Sequence, residues 1–453
     1  MVLGFQIIMK KNQRILSRLL FLYILASWLG IVGVIAKMVY SEIQTSKYQA
    51  YYLSEISKQL SFKLENKPSD AIRYPTHGPY DQRLGYTLLS DQIDRLQKVG
   101  FGVSAQATLS PMMLSLMDEY GLFPLYHEKN QAGLRLVDEN DNPLFTAVYP
   151  TYGYPNFEDI PSVILHTLLF IENRELLDDK YKSVNPAVEW ERLGFAVLQM
   201  MAKKLGADVN VPGGSTLATQ LEKYRHSPNG YTESIVEKIR QMASASIRAY
   251  LLGADTRQMR RQIALAYLNT MPLAASEKSG EVHGLGDGLV SWFGANFKET
   301  NQLLAQEAIK TPNPTPEQAK AYREVLSILL SQRRPTYLLG AGYDALQNLT
   351  DSYLRLLATQ GVISPALRDA ALAIKLERVP KSSTHYLFVT EQKTQNVLRA
   401  RLAQNLGIKT NYDLDRLDLT VKTTLNYDVQ KQVNSALRKL GDPVNCLLYT
   451  SPS

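Results

Sequence analysis

The order of apolar and polar positions divides the chain into an apolar opening, a mixed region and a long helical middle. The eighteen residues 19–36 carry no charge, which is near the lower length limit for a helix that crosses a bilayer. Residues 39–69 are predicted to form a polar, amphipathic helical stalk, and residues 70–130 mix turn signals with strand and helix patterns. Residues 253–376 have helical periodicity, and strand patterns return only after about residue 385. The chain is therefore predicted to be mainly α, behind one N-terminal transmembrane helix, with small α+β flanking regions.

Within the middle region, local patterns predict a hairpin followed by a helix. Residues 133–144 read as a strand, an Asp/Asn turn and a returning strand. Pro161 and Ser162 then open a helix that is predicted to reach about Leu177, with apolar residues spaced for burial. Glu172 is expected near the C-terminal end of that helix.

A second helix is predicted to begin where Ser234 and Glu237 form a capping-box pattern, and to reach Leu252. Apolar residues recur along it at helical spacing, so we expect that stripe to face a core. The stripe consists of Ile235, Ile239, Met242, Ile247 and Leu251. Lys238 and Gln241 share another face of the same helix, three residues apart.

The charge pattern favours a membrane anchor over a nucleic-acid-binding surface. Lys and Arg number 50 against 43 Asp and Glu, which gives +7 without a long basic run, so nucleic acid is a poor candidate partner. Basic residues are denser before the apolar run (Lys10, Lys11, Arg14, Arg18) than after it (Lys37). This bias predicts a cytoplasmic N-terminus and an external remainder. A cleaved signal peptide is the competing interpretation, but the run is long and no A-x-A site follows it.

The sequence GGSTLATQ at 213–220 is the most informative chemical pattern. A glycine pair leading into hydroxyls at a predicted helix start can present backbone N–H groups to a phosphate. Lys238 and Arg240 can hold the same anion, and Glu172 can remove a proton opposite it. Each feature alone is more often an ordinary cap, loop or solvated surface side chain. Their combination indicates group transfer from a donor that carries a pyrophosphate.

Metal-ligand spacing is absent among the six histidines, and Cys446 is the only cysteine, so a metal held by protein ligands alone is not expected.

Five segments in order resemble the signatures of glycosyltransferase family 51, the peptidoglycan polymerase module of class A penicillin-binding proteins. They are FIENREL (170–176), GGSTLATQLEK (213–223), EKIRQ (237–241), RRQIALAYLN (260–269) and GLGDGLVSWFG (284–294). The strand pair at 134–147 and the segment EVLSILLSQRRPTYL (324–338) also fit this family. Because five segments follow one another in the right order, the resemblance is specific.

The resemblance implies a lysozyme-like helical fold and, as substrate, lipid II, the undecaprenyl-pyrophosphoryl disaccharide-peptide. Glu172 would deprotonate the 4-hydroxyl of the acceptor GlcNAc, and the oxygen would attack the anomeric carbon of the donor MurNAc. Undecaprenyl pyrophosphate would leave with inversion, so that β-1,4 glycan strands grow. The resemblance assigns substrate and pyrophosphate binding to Gly213, Gly214, Ser215, Thr216, Gln220, Lys223, Lys238 and Arg240. No organic cofactor is implied, and Mg²⁺ or Mn²⁺ is an optional ion for the leaving group.

Several positions depart from the family pattern. Asn173 and Leu176 replace an aspartate and a phenylalanine of the first signature, and Thr219 replaces a glutamine of the second. The glutamate of the third signature is Gln241, which can neither act as a base nor supply charge to a cation. Glu237, one turn earlier on the same face, is the candidate substitute. Two alternatives therefore stay open: a catalytically reduced relative that serves as a cell-wall scaffold or lipid II-binding subunit, and a lysozyme-like muralytic hydrolase.

The predicted domain organisation combines these patterns with the resemblance. We expect a cytoplasmic tail (1–18), a transmembrane anchor (19–40), an extracytoplasmic stalk and small α+β region of unassigned role (41–130), a glycosyltransferase family 51-like domain (131–380), a linker with the start of a transpeptidase-like region (381–444) and an artefactual tail (445–453). No S-x-x-K or K-T-G sequence occurs, so the chain is expected either to be truncated or to lack the transpeptidase.

The resemblance also predicts where the protein works and with what. It implies a single-pass protein of the bacterial cytoplasmic membrane, with its N-terminus in the cytoplasm and its catalytic domain on the periplasmic or extracellular side. The expected partners are lipid II, the growing glycan strand, the membrane and other cell-wall synthesis proteins, and not nucleic acid.

Overall fold

The computed structural model describes residues 2–190, 215–277, 279–305, 313–379 and 392–440, together with residues 194, 195, 199 and 202. The predicted glycine pair at 213–214 and the tail at 445–453 lie outside the described residues.

Most of the described chain is helical, which confirms the predicted mainly α fold class. The α-helices are α1 (Val2–Thr45), α2 (Lys47–Lys58), α3 (Pro79–Arg83), α4 (Leu89–Lys98), α5 (Pro111–Asp118), α6 (Ser162–Glu172), α7 (Leu217–His226), α8 (Ile235–Ala249), α9 (Arg257–Thr270), α10 (Gly284–Phe293), α11 (Phe297–Leu303), α12 (Pro316–Ser331), α13 (Pro335–Leu338), α14 (Tyr343–Thr359), α15 (Pro365–Leu372), α16 (Gln392–Leu406), α17 (Asn411–Arg416) and α18 (Tyr427–Leu440). Short 3-10 helices occur at Tyr86–Leu88, Phe157–Asp159 and Pro228–Gly230.

The main apolar core lies among the helices of the middle region, and α12 runs through its centre. Thr315 and Gln318 cap the start of α12 reciprocally, so its first N–H groups are satisfied within the turn. From Gln318 to Ser331 every residue except Lys320 is buried, because α6, α10, α11, α14 and α15 pack around it. α12 is therefore the buried central helix of the middle region.

Five short strands form two small sheets. The strands are β1 (Phe62–Glu65), β2 (Gln106–Leu109), β3 (Leu134–Val137), β4 (Pro143–Thr146) and β5 (Leu419–Lys422). β1 and β2 pair antiparallel, and so do β3 and β4, which confirms the predicted hairpin. β5 pairs parallel to β3, with Leu134 opposite Leu419. β5, which lies in the region 381–444 that was predicted to be transpeptidase-like, therefore forms the third strand of the hairpin's sheet.

The apolar opening forms the long helix α1, which continues past the apolar run to Thr45. The stretch Leu20–Thr45 is long and apolar enough to cross a membrane, and its most apolar part is unburied. At the end of α1, the Ser183 hydroxyl donates to the Thr45 carbonyl (2.6 Å), and the Asn185 N–H donates to the Ser46 hydroxyl (3.1 Å). These bonds attach the end of the apolar helix to the segment that follows α6.

The region before β3 docks onto α7 and α8 through a buried ionic network centred on His226. Its ring donates to Asp81 Oδ2 (2.8 Å) through Nδ1 and to Glu128 Oε1 (3.1 Å) through Nε2. The Tyr126 hydroxyl donates to Asp81 Oδ1, and Arg248 Nη2 lies 2.7 Å from Glu128 Oε1. Burial alone would lower the pKa of His226, but its bonds to the two carboxylates raise the pKa to about 9. The imidazole is therefore charged at neutral pH, and both of its N–H groups are satisfied.

We expect Asp81→Ala to destabilise the full chain by about 3–5 kcal/mol, because the variant leaves a buried imidazolium with one carboxylate instead of two. The stabilisation from the raised His226 pKa is fully present below pH 6.5 and is lost as the pH rises through about 9. Thermal unfolding in detergent should show this pH dependence in the parent and a weaker one in the variant. Asp91→Ala, at an exposed position on α4, is the control. Equal melting temperatures for the two variants would contradict this assignment.

The predicted apolar stripe of the helix at 234–252 faces the core only in its second half. Ile235 and Ile239 are 69% and 60% exposed, whereas Ile247 is buried against α5. In the first half the polar side chains of Glu237 and Gln241 are buried instead. The prediction for Ile235 and Ile239 was wrong because polar side chains occupy the buried side of this part of α8. Gln241 bonds to the hydroxyls of Thr232 and Ser227, and Glu237 pairs with Arg240 of the same helix.

Candidate active site

Glu172 is the last residue of α6, at the point where the helix gives way to a loop. The predicted continuation to Leu177 was wrong. Arg260, buried on α9, donates to the backbone oxygens of Leu176 (3.1 Å) and Asp178 (2.6 Å). These two bonds hold the segment after Glu172 on its non-helical path and satisfy two of its carbonyls.

α7 places Gln220 directly against the Glu172 carboxylate. Gln220 Nε2 donates to Glu172 Oε2 (2.9 Å), and the Tyr267 hydroxyl donates to Gln220 Oε1 (3.3 Å). Tyr267 is buried on α9, and burial raises its pKa well above the ordinary value, so the phenol keeps its proton. The chain Tyr267–Gln220–Glu172 therefore orients the carboxylate.

Two lysines supply positive charge beside this carboxylate. Lys223 lies one turn after Gln220 on α7, and Lys238 lies on α8, where its Nζ donates to the Ser215 hydroxyl (2.7 Å). Burial lowers the pKa of Lys223, although the charge of Glu172 opposes that shift. Burial and then the nearby charge of Lys223 lower the pKa of Lys238 to about 8. Two partly desolvated ammonium groups that repel each other form a favourable place for an anion.

The hydroxyl residues of the second signature have two different roles: Ser215 bonds to Lys238, and Thr216 caps the start of α7. Ser215 accepts from Lys238. Thr216 is buried as the N-cap of α7, where its hydroxyl accepts from the Thr219 N–H (3.3 Å). Thr216 therefore serves the helix start, whereas Ser215 lies on the half-buried side with the lysine.

Positions 237 and 241 of the third signature do not join the Glu172 group, although Lys238 between them does. Gln241 is fully buried, and its amide accepts from Thr232 (3.0 Å) and donates to Ser227 (2.9 Å). Glu237, the candidate substitute, is buried and pairs with Arg240 (3.1 Å).

The side chain of Arg240 contacts Phe123 and Glu237. Its guanidinium lies over the Phe123 ring, 5.9 Å from the ring centre, in addition to its pair with Glu237. Among the described residues, no contact joins it to Ser215, Lys223 or Lys238. The structure thus brings together five of the predicted site residues and leaves Arg240 and Gln241 outside that group. The five are Glu172, Ser215, Gln220, Lys223 and Lys238.

A cavity of about 740 Å³ opens beside Glu172. Its lining includes Ile43 and Gln44 from the end of the apolar helix, Glu189 from the segment after α6, and Arg333 from the turn after α12. Tyr267 and Arg333 are not among the site residues predicted from the sequence. The basic pair in the segment SQRRPTYL was a visible signal for Arg333, whereas nothing local marked Tyr267 as a partner of Gln220.

Positions 237 and 241 of the third signature do not supply a pair of carboxylates for a divalent cation held by the protein. Glu237 is engaged by Arg240, and position 241 carries an amide. Over the part of the chain that the structure describes, no group of three or more His, Cys, Asp or Glu side chains is placed to hold a metal ion.

Comparison with known proteins gives one result that covers this site. Residues 145–331 match the family model described as Transglycosylase, and the match includes Glu172, α7 and α8. No curated protein is similar in sequence at a significant level. The predicted family and its lysozyme-like helical fold are confirmed for this part of the chain. Residues 145–331 therefore belong to the transglycosylase family, as a glycosyltransferase family 51 domain.

Proposed function

We propose that the chain is a peptidoglycan glycosyltransferase that polymerises lipid II into β-1,4 glycan strands and releases undecaprenyl pyrophosphate. A transglycosylase domain already supports glycosyl transfer of the peptidoglycan type. The observation that carries the proposal is the juxtaposition of an oriented carboxylate, Glu172, with the lysine pair Lys223 and Lys238. A base and an anion site next to each other suit attack by a hydroxyl on a carbon whose leaving group is a diphosphate.

In this reaction Glu172 removes the proton from the 4-hydroxyl of the acceptor sugar. The oxygen forms a bond to the anomeric carbon of the donor as the bond to the diphosphate breaks, and the configuration inverts. Gln220 holds the carboxylate in place, and Lys223 and Lys238 offset the charge that develops on the leaving diphosphate. A positioned base contributes typically 10²–10⁴-fold, and much of the remaining acceleration comes from charge stabilisation and orientation.

The reaction needs no organic cofactor, because both reacting groups are on the substrates. A Mg²⁺ or Mn²⁺ ion would enter with the diphosphate, since the described carboxylates do not form a protein-held site.

The N-terminal helix supports a membrane-bound substrate. Leu20–Thr45 can cross a membrane by length and composition, and Ile43 and Gln44 at its end line the cavity beside Glu172. We therefore place α1 as a single-pass anchor in a bacterial cytoplasmic membrane, with the catalytic domain outside. A lipid-linked donor that lies in the same bilayer would reach the cavity directly, and other cell-wall synthesis proteins are the expected neighbours.

A second candidate function rests on Gln241. The Gln241 side chain is a neutral amide, so this position supplies no charge to the site. The amide is also buried and bonded at both ends. A catalytically reduced relative, which binds lipid II or supports a cell-wall assembly without turnover, is consistent with this arrangement.

The test is to incubate the full chain, purified in detergent, with labelled lipid II and to resolve the products on a gel. We expect glycan ladders. Binding of lipid II without ladders would favour the reduced relative, and release of fragments from mature cell wall would favour a muralytic hydrolase.

A further inference from the structure

A second cavity, of about 560 Å³, lies between α3 and the turn at 332–337. Its cationic lining residues are Arg83, Lys223, Arg333 and Arg334, and the described lining contains no Asp or Glu. His283 also lines it, but burial, then the charges of Arg83 and Arg416, lower the pKa of this histidine well below its ordinary value, so it adds no charge. The cavity therefore concentrates positive charge without an internal counterion.

Arg83 is the cation that comes from the region before the transglycosylase domain. Its guanidinium lies 5.7 Å from the ring centre of Tyr80, and none of the described carboxylates forms an ion pair with it. Burial lowers the pKa of Arg83, and the charge of Glu281 only partly opposes this shift. A half-buried guanidinium at a cavity wall is well suited to an oxyanion, which can accept two parallel N–H bonds.

The helix that carries Arg83 is fixed to the helix that carries Lys223. Asp81 on α3 accepts from His226 at the end of α7. Gly78, which precedes α3, has φ of 109°, and a Cβ there would lie 2.4 Å from the backbone oxygen of Arg225. Because both contacts lock α3 against α7, Arg83 and Lys223 keep a fixed spacing across the cavity.

We propose that this cavity is an anion-binding subsite that takes an oxyanion of the glycan substrate, either a phosphate or a carboxylate, with Arg83 as a ligand supplied by the region before the transglycosylase domain. The identity of the substrate rests on the proposed function; the anion site itself does not. Arg333 lines both this cavity and the one beside Glu172, so an anion held here lies next to the reacting groups. The subsite would bind and align the substrate.

The experiment is calorimetric titration of the full chain in detergent with two probes, inorganic pyrophosphate and a lipid-free disaccharide-pentapeptide that carries carboxylates but no phosphate. We expect Arg83→Gln to weaken binding of at least one probe about tenfold or more, as for loss of a charge-assisted hydrogen bond. Arg83→Lys should recover part of the loss. Arg355→Gln, which removes the same charge at an exposed position of α14, should bind as the parent does.

Arg334→Gln is the second variant, because this residue is exposed at the cavity rim and its loss does not disturb a buried helix. It should weaken the same probe severalfold, with unchanged thermal unfolding. Selective loss for pyrophosphate identifies a phosphate ligand, and selective loss for the disaccharide-pentapeptide identifies a carboxylate. Parent-like affinities in both Arg83→Gln and Arg334→Gln, or no binding of either probe by the parent, overturn the subsite.

These outcomes are separable from the test of the proposed function. Arg83-dependent binding in a chain that forms no glycan ladders would keep the anion site and reject the polymerase. Ladders in a chain whose probe binding does not depend on Arg83 or Arg334 would keep the polymerase and reject the anion site.

Discussion

Glu172→Gln should reduce glycan polymerisation by about 10²–10⁴-fold while the domain stays folded. The glutamine keeps a carbonyl oxygen where Gln220 Nε2 now donates (2.9 Å), so the local hydrogen bond can survive. What it loses is the ability to accept a proton from the acceptor hydroxyl. The rate of ladder formation from labelled lipid II measures the effect, and thermal unfolding reports the fold.

The matched control for this experiment is Glu158→Gln, which removes an exposed carboxylate that pairs with Arg261 at 3.9 Å. Its polymerisation rate should equal that of the parent. Turnover at the parent's rate in Glu172→Gln would reject Glu172 as the base, whatever its contacts.

Lys238→Met should lower kcat/KM for polymerisation by about 10²–10³-fold, comparable to the loss of one oxyanion-stabilising donor. The lysine is half-buried, bonds to Ser215 (2.7 Å) and lies close enough to Lys223 to be affected by its charge. In the variant, only Lys223 of the lysine pair would remain to stabilise the negative charge on the leaving diphosphate. Lys98→Met, at an exposed position at the end of α4, is the control and should leave the rate unchanged.

The same lysine predicts a pH dependence. Its pKa of about 8 means that the positive charge is present below that pH and is lost as the pH rises through it. Polymerisation by the parent should therefore decline on the alkaline side of about pH 8. Lys238→Arg keeps its charge, so the decline should move to higher pH. An identical alkaline limb in the parent and in this variant would show that Lys238 does not control it.

The sequence correctly predicted the elements and residues that are marked by a short pattern of neighbouring residues. The hairpin at 133–144 follows from alternation around an Asp/Asn turn. α8 follows its predicted N-cap Ser234, whose hydroxyl accepts from the Glu237 N–H. The order of five signatures pointed to the family that the comparison then confirmed for residues 145–331. Each of these signals spans only a few neighbouring residues, so it can be read without knowledge of the fold.

The orientation of α8 was not readable in this way. An apolar stripe predicts a buried face only when an apolar surface is available to cover it. Around the first half of α8 the fold instead supplies the hydroxyls of Thr232 and Ser227, which bond to the buried Gln241. Glu237 pairs with Arg240 of the same helix. Ile235 and Ile239 remain exposed as a result.

The sequence by itself determined a mainly helical chain with an apolar N-terminal helix, a transglycosylase region and a set of polar residues that includes Glu172, Lys223 and Lys238. Only the tertiary structure decided that α6 ends at Glu172, since the carbonyls after it are bonded by Arg260, more than eighty residues away. It also decided which side chains meet: Tyr267 with Gln220, and Arg83 with the cavity of Lys223. The physical reason is that hydrogen-bond partners and counterions are chosen by distance in space, and the packing of distant helices sets that distance.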